Sequence, residues 1–90
     1  MIQVIGATGM LGTEVVKSAI SRGISVYDTF VDILSIQPED IKADIVINCS
    51  GISSTIDSKD KLVLINQIGP RNLAKACDEF GARLVHMSTD

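Results

Sequence analysis

A glycine-rich stretch at the start of the chain places the strongest constraint on its fold. Residues 1–12 read MIQVIGATGMLG, an apolar run followed by three glycines at the spacing G-x-x-G-x-x-G. The apolar run predicts a buried strand, and the glycines predict a tight loop after it. Gly6, Gly9 and Gly12 suit a sharp turn, close approach of the backbone to a phosphate, and close packing of helix on strand. A Cβ atom would obstruct any of these three functions.

The residues after the loop repeat at the spacing of an amphipathic helix that ends at Gly23. The predicted apolar face consists of Leu11, Val15, Val16, Ala19 and Ile20. The first N–H groups and the positive dipole end of such a helix can hold phosphates without a lysine. Glycines also mark ordinary turns, but a strand before the loop and a helix after it favour a dinucleotide pyrophosphate site. The predicted contacts come from Gly6, Thr8, Gly9, Met10, Leu11 and Gly12.

Composition narrows the class of protein and its partners. Ninety residues allow one small domain, residues 1–90, and 46% hydrophobic residues with 3% aromatic ones suit parallel strands covered by helices. A net charge of -3 without a basic cluster argues against nucleic acid or a membrane surface as partner. No signal peptide or membrane-spanning run is recognisable, and Cys49 and Cys77 have neither a metal-binding nor a disulfide spacing. We expect a cytoplasmic protein with buried thiols and no metal.

Asp28 is the predicted ribose-binding residue. Residues 24–27 predict a second strand that delivers Asp28 at its carboxyl end. In dinucleotide folds an acid about 20 residues past the glycine loop accepts hydrogen bonds from the ribose hydroxyls and repels a 2′-phosphate. Asp28 falls slightly short of that offset, and a solvated turn carboxylate is the alternative interpretation. Because no basic residue occurs between Arg22 and Lys42, NAD is favoured over NADP.

The middle of the chain predicts two further parallel strands. Residues 30–34 predict a short third strand, and a turn of helix follows near Pro38. This region is compressed, because parallel strands are usually joined by a full crossover helix. The continuous apolar run within residues 43–51 predicts a central strand, whose small exit residues would let a cofactor pass close to the backbone. Asn48 is placed to tie neighbouring strands together.

The last third of the chain predicts a helix over residues 59–80, closed by Gly81, and a fifth strand over residues 83–89. Pro70 interrupts the helix, because proline lacks an N–H group and leaves the carbonyl of Asn66 free. The fifth strand would be an apolar edge, so we expect a homo-oligomer or a partner chain. Together the elements predict a Rossmann-like α/β fold of three layers, truncated to its N-terminal half, with a parallel sheet in the order 3-2-1-4-5.

A set of motifs along the whole chain carries a family resemblance. They are the glycine loop, Asp32-Ile33, residues 44–51, Asn66 with Gly69, Asn72 and Leu73, and residues 84–90. In this order and spacing they resemble the extended short-chain dehydrogenases/reductases, most closely the dTDP-4-dehydrorhamnose reductase branch. The resemblance implies an NAD(P)-dependent oxidoreductase that acts on a nucleotide sugar.

The resemblance also implies roles for particular residues. Asp32 and Ile33 would contact the adenine, and Thr89 would hydrogen-bond the substrate carbonyl. Asn66, whose carbonyl is freed by Pro70, would hold a water beside the catalytic lysine. The residues implied to line the cofactor after the fourth strand are Cys49, Ser50 and Gly51.

The chain departs from this family at the catalytic pair. The Tyr-x-x-x-Lys pair would lie beyond Asp90, and Tyr27, the single tyrosine, is followed at the lysine position by Val31. His86 lies in an apolar run and fits a core or sheet-face histidine better than a substitute acid. The first hypothesis is therefore a catalytically incomplete, dinucleotide-binding fragment of a sugar-nucleotide reductase, with the sugar nucleotide bound only by a longer parent chain. The alternatives are a non-catalytic NAD(P)-binding protein, similar to the regulatory subunit of methionine adenosyltransferase, and a remnant without a role.

Overall fold

The computed structural model describes residues 1–7, 9–29, 33–50 and 67–87. Its strands are β1 (Ile2–Ile5), β2 (Val26–Thr29), β3 (Ile45–Asn48) and β4 (Arg83–His86). Within the described ranges they form one parallel sheet in the order β2-β1-β3-β4. The helices are α1 (Met10–Ser21) and α2 (Gly69–Phe80), and a 3₁₀ turn spans Pro38–Asp40 as predicted. This is the predicted parallel architecture apart from the third strand.

The predicted third strand is wrong where the structure describes it. Ile33 and Leu34 lie in a turn, and residues 30–32 lie outside the described ranges. The Ile33 side chain is 5% exposed and packs so closely on α2 that a Cβ at Gly69 would lie 2.7 Å from Ile33 Cγ2. The Asn72 side chain donates to the Leu34 carbonyl at 2.8 Å. The chain therefore turns into the core here, because the short connection must reach α2 instead of extending the sheet.

The main hydrophobic core lies on one face of the sheet, beneath α2. Its buried residues are Ile5, Ile33, Ile36, Ile41, Val46, Leu73, Ala76 and Cys77. Successive side chains of a strand point to opposite faces. Val4 therefore faces the other side of the sheet, where α1 packs against β1 and β2. Helices thus cover both faces, as the sequence predicted.

The second strand begins two residues later than the predicted range of 24–27. The N–H of Ile24 donates to the carbonyl of Ala19 at 2.9 Å, so Ile24 still belongs to the end of α1. Gly23 has a φ of 74° and ends the helix as predicted. Thr29 is buried and completes the strand at its carboxyl end.

The apolar face of α1 is narrower than predicted. The buried residues are Gly12 and Ala19, and the half-buried ones include Leu11, Val15 and Val16. Ile20, assigned to this face from the sequence, is 64% exposed. Each residue turns an α-helix by about 100°, so Ile20 points away from the line that joins Gly12 and Ala19.

A buried glutamine anchors the connection between β2 and β3. Gln3 is 0% exposed in the middle of β1. Its Nε2 donates to Thr29 Oγ1 at 2.7 Å and to the Asp40 carbonyl at 2.8 Å, and its Oε1 accepts from the N–H of Lys42 at 2.6 Å. The amide is tolerated in the interior because each of these groups has a partner. Gln3 thereby holds the compressed connection against the sheet without a full crossover helix.

The described part of the second helix begins at Gly69, with Pro70 in its first turn and a π-helical turn at residues 67–68 before it. Proline is tolerated there because the first N–H groups of a helix have no intrahelical acceptor. Residues 59–66, including Asn66, lie outside the described ranges. Gly81 has a φ of 92° and ends the helix as predicted. Across the described residues, no helix has the length and apolar character needed to span a membrane.

Candidate functional site

The candidate site lies where two connections of the sheet diverge. From β1 the chain passes through the glycine loop and α1 to β2 on one side, whereas β3 on the other side leads to β4. In a parallel sheet such a switch point opens a crevice at the carboxyl ends of the strands. The N–H of Cys49 donates to the Ile5 carbonyl at 2.9 Å, so the residues that leave β3 run beside the glycine loop.

Gly6 and Gly12 allow three backbone segments to touch at this point. Gly6 has a φ of +77°, and a Cβ there would lie 2.7 Å from the backbone N and 2.8 Å from the Cα of Ser50. A Cβ at Gly12 would lie 2.0 Å from the Gly6 carbonyl oxygen and 2.9 Å from the Ala7 Cα. The prediction that these two positions require glycine is confirmed, because the turn, the start of α1 and the exit of β3 are in contact.

Gly9 behaves differently from the other two glycines. Its φ of -75° and ψ of 172° are open to any residue. The nearest described atom to a Cβ at Gly9 would be the Gly6 carbonyl oxygen, at the ordinary contact distance of 3.5 Å. Nothing among the described residues packs against this position, and the close approach of a phosphate to a glycine of this loop stays a prediction. Gly9 is exposed, and its bare backbone faces solvent at the start of α1.

The N-terminal end of α1 is suited to an anion. The N-cap residue is Gly9, which has no side chain to cap the helix, and no acidic residue lies in the first turn. The first N–H groups therefore keep the positive end of the helix dipole directed at the loop. Thr13 braces this loop, because its Oγ1 lies 2.7 Å from the Gly9 carbonyl oxygen and 3.3 Å from that of Ala7. The sequence analysis missed Thr13, whose only signal was a hydroxyl residue one turn into the helix.

The exit of β3 is held by a buried amide. Asn48 is 0% exposed, and its Oδ1 accepts from the N–H of Ser50 at 3.0 Å and from Ser50 Oγ at 2.6 Å. Its Nδ2 lies 2.9 Å from Nδ1 of His86 in β4. The prediction that Asn48 ties neighbouring strands together is confirmed, and His86 is an exposed residue on the sheet face.

Both cysteines are buried, as predicted. Burial raises the pKa of the Cys49 thiol and that of the Cys77 thiol. Cys49 therefore presents a neutral thiol beside the crevice and does not oppose an anion there. Within the described ranges, no group of three or more His, Cys, Asp or Glu side chains could hold a metal ion.

The remaining predicted site residues divide into two groups. Asp28 is exposed in β2, where it pairs with Val4 on the sheet face that α1 covers. Ile33 is buried in the core, so a contact from this residue to adenine would have to come from its backbone. The predicted site residues outside the described ranges are Thr8, Asp32, Gly51, Asn66 and Thr89.

The fold and the position of the glycine loop define a Rossmann-like α/β domain. A family model described as the RmlD substrate binding domain matches residues 1–90, and the chain belongs to this family. The dTDP-4-dehydrorhamnose reductase of Mycolicibacterium smegmatis is 34% identical over 98 residues, which cover 99% of this chain and 30% of that protein. The Streptomyces griseus reductase is 31% identical and is covered to 32% of its length. The chain thus spans about 30% of the length of these relatives.

Solved structures confirm the predicted fold. The dTDP-4-dehydrorhamnose reductase of Clostridium acetobutylicum superposes with a TM-score of 0.77 and 32% identity over 92% of this chain and 34% of that one. The Bacillus anthracis reductase, crystallised in complex with NADP, has a TM-score of 0.74 and 26% identity over the same shares. A short-chain dehydrogenase/reductase superfamily protein from Agrobacterium tumefaciens reaches 0.83 at 22% identity over 99% of this chain and 32% of that one, which supports the fold alone.

Proposed function

We propose that residues 1–90 form a dinucleotide-binding unit that holds NAD(P) through the glycine loop. The observation that carries this proposal is Gly9, which is exposed at the start of α1 and whose φ of -75° does not require glycine. A pyrophosphate at the helix N-terminus needs a position without a side chain. The packing of the described residues would accept a side chain at Gly9. The NADP complex of the related Bacillus anthracis reductase supports the same assignment.

We assign NAD as the preferred cofactor, because Asp28 presents an exposed carboxylate on β2 and the sequence has no basic residue between Arg22 and Lys42 to receive a 2′-phosphate. The other assigned contacts are Thr8, Asp32, Ile33, Cys49, Ser50 and Gly51. Reduction of a dTDP-linked keto sugar is proposed for a polypeptide of the relatives' full length. In such a polypeptide Thr89 would bind the substrate carbonyl and Asn66 would hold the water beside the lysine.

Replacing Gly9 by valine is expected to weaken NAD binding by at least about tenfold, because the side chain would occupy the path of the phosphates at the helix end. Titration calorimetry on the folded proteins measures this affinity. Ser18→Val, an exposed change on the same helix, is the matched control and should bind NAD as the unmodified chain does. The proposal fails if the unmodified chain gives no heat at millimolar NAD, or if Gly9→Val binds equally well. Equal affinities for NAD and NADP would remove Asp28 from the site.

We further propose that the isolated chain self-associates through β4. Among the described strands, β4 pairs only with β3, and no described strand covers its other edge. On the face opposite the main core, Ile45 and Val85 are each 40% exposed, and α1 covers β1 and β2 there. An open edge beside an exposed apolar face favours pairing with another strand.

Light scattering coupled to size-exclusion chromatography is expected to detect a species larger than the 9.6 kDa monomer. Val85→Lys should shift it toward the monomer, because an ammonium group on this face cannot be buried without a partner. Ile20→Lys makes the same change of charge at an apolar residue that is 64% exposed on α1, and should leave the assembly intact. A single 9.6 kDa species at high micromolar concentration would contradict self-association.

A further inference from the structure

The buried amide of Asn48 has a defined orientation. The backbone N–H of Ser50 can only donate a hydrogen bond, so the atom of the amide that faces it at 3.0 Å must be Oδ1. The Ser50 hydroxyl donates to the same oxygen at 2.6 Å. The NH₂ group of Asn48 is therefore directed toward β4, where it meets Nδ1 of His86 at 2.9 Å.

This orientation determines the tautomer of His86. An amide NH₂ group can only donate a hydrogen bond, so Nδ1 of His86 must accept it. The imidazole is then neutral and carries its proton on Nε2. His86 is the single histidine of the chain, so its ring nitrogens can be observed without ambiguity.

The same amide sets the position of the β3 exit. One oxygen of Asn48 accepts two hydrogen bonds from Ser50, and the Ser50 backbone lies against the Gly6 turn, within 2.8 Å of a Cβ placed there. The contact of Ser50 with the Gly6 turn lies at the carboxyl ends of β1 and β3, where the nucleotide site is proposed. A change in the Asn48 side chain would therefore shift Ser50 relative to the Gly6 turn.

We propose that Asn48 is a positioning residue of the nucleotide site. Its carbonyl oxygen holds Ser50 against the glycine loop, and its NH₂ group links that contact to the tautomer of His86. The proposal rests on the proposed function, since the crevice it shapes is the one assigned to NAD(P). Asn48 itself is fully buried at 0% exposure and need not touch the cofactor.

The first test measures NAD affinity in Asn48→Leu, which removes both links without adding charge. We expect a loss of about tenfold, corresponding to released hydrogen bonds at Ser50. Gln3→Leu is the matched control, because Gln3 is also an amide at 0% exposure in an adjacent strand but contacts the β2 to β3 connection. Folded Gln3→Leu should lose stability and keep the NAD affinity of the unmodified chain.

The second test observes the tautomer by ¹⁵N NMR of the His86 ring. The unmodified chain is expected to carry the proton on Nε2, and added NAD should shift the ring signals. In Asn48→Asp the carboxylate still accepts from Ser50 but cannot donate to His86, so the proton should move to Nδ1. Asn48→Asp adds a negative charge near the proposed position of the NAD phosphates, and this charge would itself change the affinity. The variant is therefore used to measure the His86 tautomer and not the NAD affinity.

Several outcomes would overturn the positioning role. One is a folded Asn48→Leu protein with unchanged NAD affinity, and another is a loss of NAD affinity in Gln3→Leu equal to that in Asn48→Leu. The third is a proton on Nδ1 of His86 in the unmodified chain. If Asn48→Leu does not fold, the tautomers of the unmodified chain and of Asn48→Asp decide the question. An unmodified chain that binds no NAD(P) overturns the proposed function together with this one, whereas normal binding with insensitive Asn48 variants overturns the positioning role alone.

Discussion

Gly12→Ala is expected to lower the free energy of unfolding by at least about 3 kcal/mol, the upper end of the usual cost of overpacking. The added Cβ would lie 2.0 Å from the Gly6 carbonyl oxygen and 2.8 Å from its carbonyl carbon. These are backbone atoms, so no side-chain rotation can relieve the contact, and α1 must move away from the loop. Since small domains have a total stability of about 5–15 kcal/mol, a urea titration followed by circular dichroism will resolve the loss.

Gly9→Ala is the matched control, because it makes the same chemical change in the same loop. Its Cβ would meet no described atom closer than 3.5 Å, at a φ of -75° that alanine adopts freely. We expect a change within about 1 kcal/mol, since a small loss of capping preference is offset by reduced freedom of the unfolded chain. Equal losses in the two variants would contradict the different roles assigned to these glycines.

Leu73→Ala is expected to cost about 2–5 kcal/mol, the range for large-to-small changes in a closed core. Leu73 is 0% exposed on α2 and packs in the cluster that also contains Ile5 and Val46 of the sheet. Removing its side chain leaves a cavity between helix and sheet, because the short connection around Ile33 is itself packed and cannot collapse far. The midpoint of urea unfolding should fall at nearly unchanged slope.

Phe80→Ala tests whether burial is the cause of that loss. Phe80 ends the same helix and has a larger side chain, but it is 46% exposed. We expect a cost of about 1 kcal/mol, in proportion to the apolar area that remains in contact with the protein. A larger loss in Phe80→Ala than in Leu73→Ala would mean that the cluster beneath α2 is not the main source of stability.

Some features of this fold were predictable because their signals are local in the chain. The apolar run before Gly6 predicts β1, the helical spacing after Met10 predicts α1, and Gly23 and Gly81 stand where positive φ angles end the helices. The parallel direction of the strands was predictable as well, because strands that are joined through a helix usually run parallel in one sheet. The prediction of a third strand was wrong, because the apolar side chains of residues 33–34 pack in the core beneath α2 and these residues do not form part of the sheet.

The candidate site was predictable only as far as its loop. The spacing of Gly6, Gly9 and Gly12 predicts a phosphate-binding loop, but it does not show which of the three glycines the fold itself requires. Gly6 is packed against Ser50, which arrives from another strand, whereas Gly12 is packed against the backbone of Gly6 and Ala7 in the loop itself. Gly9 has no such neighbour among the described residues, so the fold itself does not require glycine there and the phosphate contact stays a prediction.

The sequence by itself therefore determined the class of fold, the glycine loop and the ends of the helices, because each depends on residues within one or two turns of the chain. Tertiary structure alone decided how buried polar groups are paired. Gln3 meets Thr29 across 26 positions and Lys42 across 39, and Asn48 meets His86 across 38. A buried amide is stable only when distant partners arrive at hydrogen-bonding distance, and no local pattern records which residues those partners will be.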